Sequence, residues 1–163
     1  VALSRAERAA LVQRYAEGPA RLRAALAAVP PAARQWRPKP AEWSAHEIVC
    51  HCADSESHAS LRIRTLVVER EPLIVGYDQE RWAQVLDYHD HPLDAALAVV
   101  DAVRASTAAL LGRLGDEAWA RAGRHTESGH YTAENWLQIY AAHLHDHAAQ
   151  IDGNVAQWRA THR

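Results

Sequence analysis

Apolar residues recur along most of this chain at steps of three and four, the interval that places side chains on one face of an α-helix. The first stripe is Leu11, Tyr15, Leu22, Leu26 and Val29, and Ser4 with Glu7 ahead of it has the form of a capping box. Gly18-Pro19 falls inside this stripe, so a kink or two shorter helices is expected there. Four prolines between Pro30 and Pro40 then read as a short extended connection. The second stripe, Ile48, Cys52, Ser55, Ala59, Ile63 and Leu66, has the strongest start. Ser44 is its N-cap, Glu47 sits at N3, and Trp43 and Ile48 are spaced to form a hydrophobic staple. This helix is expected to end between Glu69 and Pro72.

Residues 72–91 carry the weakest pattern. Gly76-Tyr77-Asp78 marks a turn, and Gln79 to Tyr88 reads as a short helix or a packed loop anchored by Trp82. Pro92 suits the first position of a third long helix capped near His91. Its stripe runs through Leu93, Leu97, Val100, Val103, Thr107, Leu110 and Leu114 to Gly115. A helical turn within Asp116 to Ala122 and a glycine-rich connection from Gly123 to Gly129 lead to a last long helix. Thr132 caps that helix with Asn135 at N3, and Trp136, Tyr140, Leu144, Ala148, Ile151 and Val155 line one side. No segment alternates with period two for long enough to predict a sheet. Four long helices, each with one apolar stripe to bury, predict an all-α four-helix bundle forming a single domain over residues 1–163. The roughly twenty residues between the second and third helices predict a long crossover.

Composition narrows the function. The 163 residues are 48% hydrophobic and 23% charged, with a formal charge of -2, which argues against a general nucleic-acid binder. No apolar run is long enough for a membrane span, and the start at Val1-Ala2-Leu3 shows no signal-peptide core, so a cytoplasmic location is expected. Cys50 and Cys52 are the only cysteines and form neither a disulfide framework nor a C-x-x-C motif. Eleven histidines are the anomaly. His143 and His147, four residues apart, share a face of the last helix with Tyr140 and Gln150 and can grip one ion. His51, in the second helix, is a third candidate. Three neutral imidazoles with an open position suit zinc or another borderline divalent ion. Glu47 and Asp54 flank His51 in sequence as possible partners, although Glu47 already serves the capping box.

Three groups of residues carry a resemblance to the DinB-like superfamily, which includes the YfiT-type metal-dependent hydrolases. They are Trp43-Ser44-x-x-Glu47-Ile48-x-x-His51-x-x-Asp54, then Trp119-x-Arg121 with His125-x-x-x-Gly129-x-Tyr131-Thr132, and finally His143-x-x-x-His147-x-x-Gln150-Ile151. The resemblance implies a metal triad of His51, His143 and His147, an ion such as zinc or nickel, and an up-down-down-up bundle with a long crossover, often paired as a homodimer. Some members use a low-molecular-weight thiol such as bacillithiol or mycothiol as cosubstrate. His143 stands where the mycothiol-dependent maleylpyruvate isomerases tend to carry glutamate, which points to the hydrolase or thiol-transferase branch. The expected activity therefore uses a metal-activated water or thiol on a small-molecule substrate, with Asp54, His125 and Tyr140 as candidates to position the second reactant. Two other readings stay open: a non-catalytic metal- or thiol-binding protein, and a structural or interaction bundle without a metal.

Overall fold

The computed structural model describes residues 2–162. Four long helices dominate: α1 (Arg5–Ala27), α2 (Ala45–Val68), α4 (Leu93–Leu111) and α6 (Ala133–Thr161). Two short helices, α3 (Gln79–Val85) and α5 (Asp116–Trp119), and three short strands, β1 (Leu73–Ile74), β2 (Ala122–His125) and β3 (Gly129–Thr132), fill the connections. Capping boxes start three of the long helices, at Ser4 with Glu7, Ser44 with Glu47, and Thr132 with Asn135.

Contacts between the helices fix their directions. Along α2 and α6, the Trp43 carbonyl accepts from Asn154 and the Ala59 carbonyl from Trp136, so the two run antiparallel. Between α1 and α6, Arg8 faces Glu134 and Arg21 faces Asp152, which makes this pair parallel. Between α2 and α4, Arg104 binds Glu56 and Thr107 donates to Ser60, again in parallel. The bundle is up-down-down-up, as expected. Because α2 and α4 are parallel neighbours, the chain must travel back along the 24-residue length of α2, about 36 Å at 1.5 Å per residue. The long crossover containing β1 and α3 makes that journey.

Four expectations need correction. Gly18-Pro19 does not divide α1, which is one continuous helix. Proline lacks the N–H that would bond the Tyr15 carbonyl, and Arg104 Nη1 donates to that carbonyl instead, at 2.7 Å. Pro92 is the N-cap of α4 rather than its first residue, and α4 stops at Leu111 with Gly112 as its C-cap, short of Gly115. A small sheet is also present, in the order β1-β2-β3, with β1 parallel to β2 and β2 antiparallel to β3. Its strands are two to four residues long, too short to register as a period-two pattern.

The apolar residues form two clusters. One gathers Leu22, Val49, Cys52, Val100, Leu144 and Ala148; the other gathers Tyr15, Ala59, Ile63, Leu111, Trp136 and Tyr140. Glu56 and Arg104, both essentially without solvent exposure, lie on α2 and α4 between the levels of those clusters.

Candidate metal centre

His51 projects from α2, and His143 and His147 from successive turns of α6. Antiparallel packing of these helices brings one ring nitrogen of each within 4.8 Å of the others. Each imidazole is held differently. His143 Nδ1 lies 2.8 Å from Glu56 Oε1, while Arg104 grips both oxygens of the same carboxylate at 2.6 and 2.7 Å. Burial alone would raise the Glu56 carboxyl, but the hydrogen bond from His143 and the guanidinium of Arg104 outweigh it and keep it below the usual carboxylate range. An ionised carboxylate only accepts, so the His143 proton resides on Nδ1 and the lone pair on Nε2. Gln150 Oε1 accepts from His147 Nδ1 at 2.9 Å with the same consequence.

His51 is 2% exposed and packs under the Trp43 ring at 4.7 Å between centroids. Its Nδ1 is buried without a hydrogen-bond partner. Burial first, and then His147 and His143, push its pKa down to about 2; burial and His143 push that of His147 down to about 4. Both rings are therefore neutral at ordinary pH, the form a metal ion binds. An all-imidazole donor set, lone pairs oriented by second partners and an unpaired buried nitrogen together fit a divalent ion.

A cavity of about 310 Å³ opens beside the three histidines, and Ser55, Arg62, Tyr77 and Tyr140 also line it. Of the other sequence candidates, Tyr140 alone reaches this lining. The Asp54 carboxylate accepts from the Tyr88 hydroxyl at 2.5 Å, and His125 Nδ1 accepts from the Glu127 backbone N–H at 3.2 Å; neither lines the cavity. Glu47 pairs with Arg37 and His89 while closing its capping box. Both cysteines are buried, with their thiol pKa values raised by burial, which suits packing rather than nucleophilic chemistry. Glu56 and Arg104 are not among the candidates named from the sequence. Their signal was available: each places a charge within an apolar stripe, Glu56 between Cys52 and Ala59 and Arg104 between Val100 and Thr107.

A profile of the DinB superfamily matches residues 14–151. A relative from Oceanobacillus iheyensis is 31% identical over 109 residues, covering 67% of this chain and 63% of its own length. YfiT from Bacillus subtilis is 27% identical over 150 residues, covering 91% of this chain and 84% of its own. Both carry the name "putative metal-dependent hydrolase". The solved structure of YfiT, described as having "an unusual four-helix bundle topology", superposes with a TM-score of 0.90 at 25% identity, over 97% of this chain and 91% of that one.

Proposed function

The chain belongs to the DinB superfamily, and from that membership we propose that it is a metal-dependent hydrolase acting through His51, His143 and His147. The observation that carries this reading is the convergence of three imidazole nitrogens within 4.8 Å beside a polar cavity. Three nitrogen ligands favour zinc or nickel over the hard, oxygen-seeking ions. When bound, such an ion supplies Lewis acidity, polarising a substrate oxygen and making water more acidic.

The chain's own residues do the rest. Glu56 and Gln150 hold the protons of His143 and His147 on Nδ1, which fixes tautomer and ring orientation. Trp43 covers His51 and shields that side from solvent. The Tyr140 hydroxyl accepts from Arg62 at 3.0 Å and keeps its own proton to donate to a substrate oxygen.

The test loads the protein with zinc and assays a panel of 4-nitrophenyl esters and anilides. Turnover by the wild type that falls at least a hundredfold in His147→Ala, with helical content retained, is the expected result. Turnover unchanged by that substitution, or none across the panel from protein carrying one ion per chain, would overturn the reading. If the same sample instead consumes a thiol with an electrophile, the thiol-transferase reading replaces it.

A further inference from the structure

Two arginines lie near the histidines, Arg104 buried and Arg62 half-buried, and their surroundings differ. Every guanidinium nitrogen of Arg104 has an acceptor: the Glu56 carboxylate takes two donors, the carbonyls of Tyr15 and Tyr140 take two more, and the guanidinium lies 3.8 Å from the Tyr15 ring centre. Arg62 is not. Nη1 donates to the Tyr140 hydroxyl at 3.0 Å and Nη2 to the Val75 carbonyl at 2.8 Å, while Nε is buried with no acceptor. Among the described residues no carboxylate forms an ion pair with it. A guanidinium offers five N–H donors, and protein acceptors take two of them here. The side chain as a whole is half-buried, and Nε is the one of its nitrogens shut off from solvent without a partner.

Arg62 lines the same cavity as His51, His143 and His147. It lies eleven residues beyond His51 on α2, about 16 Å along the axis at 1.5 Å per residue. Helical side chains lean toward the N-terminus, which carries its guanidinium back toward the histidines. Its charge also reaches past its own contacts: the pKa values of His58 and His125 are lowered by burial first and by Arg62 second. The other ionised group on the lining, Glu127, is exposed at the rim with its carboxylate against Gly76.

We infer that Arg62 is the anchor for a carboxylate carried by the substrate, so that the substrate class is small carboxylate-bearing esters or amides. A planar guanidinium matches the two oxygens of a carboxylate, and Tyr140 and Tyr77 stand on the same lining. The cavity then binds an anion at the Arg62 end and presents the scissile bond at the histidine end. This assignment of substrate rests on the hydrolytic reading, but the anchoring itself can be measured without turnover.

Glutarate is titrated calorimetrically into the zinc-loaded protein, into Arg62→Gln, and into Arg62→Lys, which keeps the charge but not the fork. The expected result is saturable binding to the wild type, weakened at least tenfold in Arg62→Gln and by less in Arg62→Lys. Mono-4-nitrophenyl glutarate should then show a KM at least tenfold below that of 4-nitrophenyl acetate, with the advantage lost in Arg62→Gln. Arg62-dependent glutarate binding without hydrolysis of either ester would uphold the anchor and count against the hydrolase. No glutarate binding, or equal affinity in wild type and Arg62→Gln at equal zinc content, would overturn the anchor even where both esters are hydrolysed. Should Arg62→Gln fail to fold, Arg62→Lys decides: affinity equal to wild type there overturns the anchor through the guanidinium, and reproducibly weaker binding supports it.

Discussion

Glu56 carries two duties with one carboxylate: it neutralises Arg104 in the bundle interior and fixes the proton of His143. Removing it leaves a buried guanidinium without a counter-charge. Glu56→Ala is expected to cost about 3–5 kcal/mol in urea denaturation, the range for breaking a buried pair from one side. The double change Glu56→Met with Arg104→Leu removes both charges and should cost much less. Either variant should weaken metal binding about 10- to 100-fold in chelator competition, because His143 loses the partner that orients it. A second prediction concerns acid. The pKa values of His51 and His147 lie near 2 and 4 in the folded, metal-free protein, whereas in an unfolded chain both lie near ~6.5. Below ~6.5 the unfolded chain therefore takes up protons that the folded chain refuses, so stability is fully present above that pH and lost on acidification. Two such groups give a fall of at most about 3 kcal/mol per pH unit between roughly pH 6 and 4. Urea midpoints of metal-free protein at pH 7, 6 and 5 check this; a flat profile would contradict it.

Elements built on apolar stripes and capping boxes were legible, because both signals are local. The breakdowns came where a distant residue repairs a local fault. Pro19 reads as a helix breaker, yet α1 runs through it, and Arg104, on another helix, donates to the Tyr15 carbonyl that the proline leaves without its usual partner. Gly123 reads as loop, yet a Cβ there would run into the Pro72 carbonyl, so glycine is what lets β2 lie against the segment leading into β1. Gly18 serves the same end between helices: a Cβ there would sit 3.0 Å from Leu144 Cβ and 3.2 Å from Arg104 Nη1. Gly18→Val should therefore cost about 1–3 kcal/mol by overpacking, read as a lower urea midpoint at unchanged slope. A stability equal to wild type would show that α1 and α6 are free to move apart.

At the scale of the molecule, direction and site are one problem. The up-down-down-up order makes α2 antiparallel to α6, and that arrangement brings the His51 turn beside the turns of His143 and His147. The same order makes α2 and α4 parallel, which demands the long crossover, and the crossover supplies Tyr77 and Gln79 to the cavity wall. The histidine spacing on α6 was readable from sequence because four residues share a helix face. The place of His51 opposite them depended on chain direction, which periodicity does not encode and the family resemblance implied. Residues that finish the cavity, Arg62 and Tyr77, were not legible, since nothing local distinguishes them from surface side chains. The most direct test of the central claim is a crystal of the zinc-loaded protein measured at the zinc absorption edge. The account predicts one anomalous peak per chain, bonded to one nitrogen each of His51, His143 and His147 at about 2.0–2.1 Å. A peak whose ligands exclude any of the three, or no peak between them, would contradict it.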